Sequence, residues 1–577
     1  MLNFLDGNII KKVIPVFIFL FAFALRVYGI DWDQNQHLHP DERFLTMTTD
    51  AMIWPESLAE YLSPSISKLN PYNLGTAFYV YGTLPTTIVK YFSRSELFDV
   101  FQYNNIALTG RLISAIFDVG VVILVYFISK NIFNRKTALL SAFLYSVSVL
   151  PIQLSHFFAV DTFLNFFLAL TFYFLIKLIS GNKYYFSIGL GLSYGAALAC
   201  NISALYYLPV ILLGYFFYFL KSRSSLNTIY HILFTVSFSV LTFRFLDPHV
   251  FTGNLFPPEI SPQFIKNIIE LQTMGVRGST FPPAIQWHNI TPIIFPLKNI
   301  VLWGLGLPLG VLSVIAVIYK IVELFIGLFK TNNLKSFYNN LIVKEFNSLL
   351  ILFWILFLFF YQAIQPTPSM RYFLPIYPFF AILSADFSVT FLFPKFRNFL
   401  LLSTIYYLLI ILWPLSFLSI YSRPHSRVSA SEWIYQNIPQ GKTLSCDSWD
   451  DCLPLSLAEG KTANQYNILS LEPFVPDDPQ KIDKYKSQLD QIDYLIFSSN
   501  RAWGSLPQWP EKFPYMIKFY EDLFADKSTF QKVAEITSYP KLKIGNWEFE
   551  ICDDLAEEAF TVYDHPKVLI YKNEGRD

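Results

Sequence analysis

Two acids stand side by side where the chain first leaves its apolar opening. Asp41 and Glu42 lie in the run HLHPDERFL, with His37, His39 and Arg43 around them. A dense ionisable cluster at a water–lipid boundary costs free energy, which marks it as a functional candidate. A carboxylate there can take a proton from an incoming hydroxyl or hold a cation. Pro40 followed by two acids is also an ordinary helix start. Neighbouring side chains on a helix diverge by about 100°. One acid is therefore expected to face the reaction and the other to support it.

Further candidates follow along the chain. Asp161, in SHFFAVDT, sits at the mouth of an apolar run. Alone it reads as a helix N-cap; with Asp41 on the same side it reads as a second acid of the site. Arg111 and Asp118 are seven apart in one apolar run, on roughly one helical face. Ionised groups in lipid pair or face a cavity. Pairing is the expectation for Asp118, while Arg26 and Arg111 fit pairing and phosphate contact equally well. Trp287 and Trp303 fit an interfacial belt, Trp303 the better of the two; Gln286 and Trp287, which end the run FPPAIQW, suit instead hydrogen bonding and stacking on a sugar. Arg371 and Tyr372 open MRYFLPIYP; a fixed cation at the lipid boundary makes an anion site, with snorkelling as the plainer reading. His39 and Arg43 join them as candidate substrate contacts.

Long apolar elements must position these residues. Of the 577 residues 53% are hydrophobic and only 15% charged, against about a quarter charged in soluble proteins. Formal net charge is zero, so no basic footprint suggests nucleic acid. The first apolar run lacks a small-residue cleavage site and is read as a span, not a cleaved signal. We read about eleven spans, at 12–30, 107–129, 137–153, 157–176, 184–201, 203–220, 228–246, 298–329, 346–365, 371–393 and 398–421. The stretch 74–92, broken by Gly82 and Pro85, is expected as an interfacial helix.

Lys and Arg set the expected orientation. With the N-terminus cytoplasmic, every inner connection is basic: Lys11 and Lys12; Lys130, Arg135 and Lys136; Lys177 and Lys183; Lys221 and Arg223; Lys330, Lys335 and Lys344; Lys395 and Arg397. The short alternate connections carry none, as the positive-inside rule requires. The outer face then receives the loops 31–106 and 247–297, Asp161, Arg371 and the whole C-terminal part. Residues 1–424 read as a membrane domain and 425–577 as a small α/β domain outside it. In that domain 493–497 and 566–571 read as strands. A helix is expected near 431–437, capped by Ser429 with Glu432 three later, and another from Pro514. Cys446 and Cys452 fit a disulfide or free thiols; Asp450 and Asp451 fit a solvated turn foremost, with cation binding as the alternative.

At HPDERFL, HFFAVDTF, FPPAIQW and MRYFLPIYP the sequence resembles multi-spanning GT-C glycosyltransferases, in particular the family 39-like group of protein mannosyltransferases and aminoarabinose transferases. The resemblance covers about residues 10–425. It implies transfer of a sugar from a polyprenyl-phosphate carrier, with inversion, to an acceptor (protein, lipid or glycan) on the outer face of the plasma (inner) membrane. It implies Asp41 as base, Glu42 as its partner, Asp161 as the second-loop acid and Arg371 at the lipid phosphate. A divalent cation is compatible, since Asp31-Trp32-Asp33 has the spacing of a cation motif, and no other cofactor is implied. Related sequences often carry a Lys at the end of the fifth span, where this chain has Cys200-Asn201. A transporter or flippase of lipid-linked saccharides is the alternative. Internal repeats and midplane helix breaks would favour it, but the ionisable cluster lies at helix mouths.

Overall fold

The computed structural model describes residues 8–93, 103–253, 258–329, 345–395, 400–457 and 460–576. Lys330, Lys335, Lys344 and Arg397 of the expected inner connections lie outside them, as do parts of the loops 31–106 and 247–297. Among the described residues eight helices are long and apolar enough to cross a bilayer, or nine if one bent pair counts as a span. Helices close their own backbone hydrogen bonds, which lipid cannot do for them. The chain is a multi-pass α-helical membrane protein with a C-terminal domain built on a sheet.

Each expected span coincides with helix, with informative departures. The third is two pieces, Arg135–Ser146 and Val149–Ser155, bent by 58°. Pro151 is the cause: its ring displaces the carbonyl four residues back, at Val147, where the first piece ends. The eighth begins as a wide turn over Ile300–Gly304, then breaks before Leu307–Phe329. The stretch 74–92 is helical only over Leu84–Ser93. Its preceding turn is pressed onto the membrane helix Tyr184–Cys200: the Gly82 N–H donates to the Cys200 carbonyl at 2.9 Å. A Cβ on Gly82 would stand 1.9 Å from the Ala199 carbonyl oxygen, so only glycine fits there.

The C-terminal domain holds a five-stranded sheet in the order β2-β1-β3-β7-β4. Its strands are β1 (Thr443–Asp447), β2 (Asn467–Leu471), β3 (Tyr494–Phe497), β4 (Phe530–Ile536) and β7 (Val568–Asn573). Strands β1, β2 and β3 are parallel, while β7 runs antiparallel to β3 and β4. Alternation gives the sheet two apolar faces. Leu444, Ile496 and Ile570 pack with Ile434 on one side; Leu495, Leu569 and Tyr571 pack with Met516 and Tyr520 on the other. A separate hairpin, β5 (Lys541–Ile544) with β6 (Trp547–Glu550), stands outside this sheet. The helix expected after Ser429 starts earlier, at Ser426, because His425 caps it: its Nδ1 accepts the Arg427 N–H. Cys446 and Cys452 form a disulfide. Asp450 and Asp451 are not a solvated turn, since both accept from the Arg427 guanidinium.

The domain is bolted to the membrane helices through buried polar groups. Asp564 accepts from Gln153 at 3.0 Å and from the Tyr421 hydroxyl at 2.9 Å. His565 lies between Asp564 and Asp553, 2.5 and 2.8 Å away. Burial alone would lower the His565 pKa, but these two carboxylates raise it to about 10.

Candidate active site

The helix Pro40–Ala51 carries the two acids in different directions, as its geometry demands. Proline opens it, and the His39 side chain caps it by accepting the Glu42 N–H at 3.2 Å. His39 is buried between the rings of Phe157 and Tyr563, 4.3 and 4.5 Å away. Burial drops its pKa to about 4, so at neutral pH the imidazole is uncharged, as an accepting cap must be. The Nδ1 of His39, expected as a substrate contact, thus serves the protein's own backbone.

Glu42 turns inward and is fully buried. Its two oxygens take a fork from Arg111, Nε at 2.9 Å and Nη2 at 2.5 Å, and one also accepts the Phe158 N–H at 2.8 Å. Asp33 accepts from the same Arg111 at 2.9 Å. The remaining Arg111 nitrogen donates to the Ile30 carbonyl at 2.8 Å, and Trp32 lies 4.9 Å from the guanidinium. All three nitrogens of Arg111 thus donate to acceptors of the protein itself. In Asp31-Trp32-Asp33, one Asp33 oxygen is drawn to Arg111. Among the described residues no group of three or more His, Cys, Asp or Glu is arranged to hold a metal. Arg26 is committed too, to Asp118 at 2.6 Å.

Asp41 turns outward. It meets the Arg371 guanidinium in a close ion pair that stays open to solvent, with side chains 26% and 29% exposed. The Tyr81 hydroxyl supports the same carboxylate. Desolvation would raise the Asp41 pKa, but Arg371 foremost, then His39 and the hydrogen bonds from Arg371 and Tyr81, hold it below the usual range. Tyr81 is pushed well above the ordinary tyrosine range by burial and by Asp41, and so keeps its proton. Asp161 occupies the first turn of Val160–Gly181, half-buried, and is not the cap; Ala159 holds that position with no side-chain bond. Asp161 contributes to the electrostatics of both Tyr81 and Arg371. Tyr372 is exposed, its ring 5.3 Å from Arg371.

The other expected contacts are placed elsewhere. Gln286 is buried and clamps Glu558 of the C-terminal domain, donating to its carboxylate at 2.7 Å and accepting its N–H at 3.0 Å. Trp287 beside it is half-buried. Arg43 donates to the His37 carbonyl and to Asp451 at 2.8 Å, tying the helix to the disulfide loop. Asp247 is buried and accepts from the Thr83 hydroxyl at 2.7 Å, joining the loops 31–106 and 247–297. Burial raises the Asp247 pKa to about 7.

Three contributors went unread in the sequence. Tyr81 lies in a stretch taken for an interfacial helix. Tyr563 and Glu557 come from the far end of the chain. Glu557 accepts the Met370 N–H at 2.9 Å and the Ser369 hydroxyl at 3.1 Å, which fixes the start of the turn carrying Arg371. No local signal in EEAFTVYDH distinguishes them from surface acids and aromatics.

The fold can be compared with known proteins. Residues 97–245 match the family model for dolichyl-phosphate-mannose-protein mannosyltransferase. The apo oligosaccharyltransferase of Archaeoglobus fulgidus superposes with a TM-score of 0.50 at 13% identity, covering 88% of this chain and 72% of that one. The chain has the GT-C glycosyltransferase fold. ArnT from Cupriavidus metallidurans, in its apo state, aligns over 96% of this chain and 97% of its own at 11% identity, with a TM-score of 0.44. No curated protein matches in sequence. On the GT-C frame, Asp41, Arg371, Tyr81 and Asp161 gather at helix mouths on the side of the C-terminal domain.

Proposed function

We propose that the protein moves a sugar from a polyprenyl-phosphate carrier to an acceptor on the outer face of the membrane, with inversion at the anomeric carbon. The observation that carries this reading is the half-open Asp41–Arg371 pair. The acceptor's nucleophilic oxygen attacks the anomeric carbon, and the bond from that carbon to the phosphate oxygen breaks. The acceptor proton passes to Asp41. The leaving lipid phosphate takes the negative charge, and Arg371 offers its cation there. The two roles are coupled. While Arg371 faces Asp41 alone, the carboxylate is a weak base. Once a donor phosphate shares the guanidinium, Asp41 loses part of that stabilisation and becomes more basic.

The resemblance of 97–245 to a dolichyl-phosphate-mannose-dependent family supports a lipid-phosphate donor. The fold shared with an oligosaccharyltransferase supports transfer chemistry. Asp161 serves as a second acid near the same cation, and Tyr372 lies at the open side, where a donor would enter. The test is transfer from a panel of radiolabelled polyprenyl-phosphate sugars in purified membranes, for wild type and Asp161→Asn. Label reaching an acceptor, reduced in the variant, supports the reading. No transfer from any donor, with lipid-linked sugar still crossing the bilayer, moves the assignment to a flippase.

A further inference from the structure

The hairpin β5–β6 has two unlike faces. Its register pairs Lys541 with Glu550 and Lys543 with Glu548, and, alternating with them, Leu542 with Phe549 and Ile544 with Trp547. Successive side chains of a strand point to opposite faces. One face is therefore Leu542, Ile544, Trp547 and Phe549, and the other is four charges that sum to zero. The turn, Gly545-Asn546, has Gly545 at φ +61°, the left-handed geometry that a tight hairpin needs.

The chain descends along the last membrane helix, Leu400–Leu418, as it enters this hairpin. Arg423, beyond that helix, donates to the Tyr539 carbonyl at 2.6 Å. Two residues later the Lys541 N–H donates to the Ser419 hydroxyl at 2.9 Å. The next pair of the ladder brings Phe549 to 6.1 Å from Trp413. Trp413 lies six positions before Ser419, about 9 Å of descent into the membrane span. Trp547 continues the apolar face, stacked 5.9 Å from Phe549. The tip thus lies beside the bilayer-facing flank of the helix, whose Ile405, Leu408 and Leu409 are all exposed. Among the described residues nothing covers the tip: Ile544 is 55% and Trp547 52% exposed.

We propose that the β5–β6 hairpin inserts its apolar face into the leaflet on the side of the C-terminal domain, anchoring that domain to the bilayer beside the last span. The occupant is lipid because the uncovered face is continuous with a surface that lipid already covers. Tryptophan favours the headgroup boundary, and the opposite face carries paired Lys and Glu that suit the wet side. This inference rests on the membrane fold and not on the proposed transfer.

The test uses the full chain in phospholipid vesicles, with Cys552→Ser removing the exposed thiol. A nitroxide is placed at Asn546→Cys on the tip, and in a second protein at Ser487→Cys on the exposed helix Pro479–Leu489. Collision with oxygen, which concentrates in lipid, is compared with collision with a water-soluble nickel chelate. The expected result is an oxygen-dominated label at the tip and a nickel-dominated label at 487. A tip label as open to nickel as the control overturns the proposal. A tip shielded from both reagents, as a contact with a second copy would make it, overturns it too. As a check without cysteine changes, brominated-chain lipids should quench less of the tryptophan emission in Trp547→Phe than in wild type; unchanged quenching contradicts insertion.

Discussion

Two arginine–carboxylate assemblies spring from one helix, and they differ in almost everything but chemistry. At Arg111 the guanidinium is buried, every nitrogen is taken, and two carboxylates share it. At Arg371 one carboxylate makes one ion pair, and both partners keep about a quarter of their surface in solvent. The first fixes Ile30, Asp33, Glu42 and Phe158 around one cation and so joins the loop 31–106 to the short turn before Val160–Gly181. The second is a pair that a ligand can enter. Adjacent residues of sequence, Asp41 and Glu42, thus end in a half-open ion pair and a sealed strut.

The comparison is broken most sharply at Asp41. Asp41→Asn still accepts a hydrogen bond from Arg371 but cannot take a proton. Transfer should fall by about 10²- to 10⁴-fold, the usual contribution of a general base, with the melting temperature unchanged. Glu42→Gln should do the reverse. It leaves Arg111 buried with half its compensation, and breaking a buried pair costs about 3–5 kcal/mol. Denaturation of the detergent-solubilised protein would register this, with residual activity tracking the folded fraction.

Arg371→Gln sharpens the contrast through pH. Without the cation, burial governs Asp41 and its pKa rises toward and above the ordinary carboxylate value. The acid limb of kcat/KM should therefore move to higher pH than in wild type. An unmoved limb would show that Arg371 does not set the basicity of the acting group.

The docking of the C-terminal domain has its own pH window. His565 is raised from 6.5 to about 10 by Asp564 and Asp553. Its stabilisation is complete below about 6.5 and is lost as pH rises through about 10. Thermal stability should decline across that range in wild type and be lower but flatter in His565→Gln. The smallest effect belongs to Arg43→Ala. That side chain is 40% exposed and its partner Asp451 keeps Arg427, so the loss should stay within about 1 kcal/mol.

Much of this was legible in the sequence. Apolar runs near 20 residues become helices for want of any other way to satisfy their backbone in lipid. The divergence of Asp41 and Glu42 follows from one rotation per residue. What was not legible is which polar groups the fold turns on one another. Arg111 could pair or bind phosphate until Glu42 and Asp33, 69 and 78 positions away, closed on it. Gln286 looked like a sugar contact, and the chain's last stretch supplied Glu558 to occupy it. Glu557 and Tyr563 reach the site only because the terminal domain folds back over Ser369 and His39. A kink is different: Pro151 announced it, and reading 137–153 as one span ignored a proline whose steric consequence is local.

The most direct test sets Asp41→Asn and Glu42→Gln side by side. Both would be purified from membranes and measured for initial rate of label transfer from a polyprenyl-phosphate sugar and for thermal unfolding. Asp41→Asn should be folded and inactive, and Glu42→Gln destabilised, with its surviving folded fraction still transferring sugar. An Asp41→Asn protein that transfers at the wild-type rate, with a stable and inactive Glu42→Gln, would contradict this and reverse the two roles.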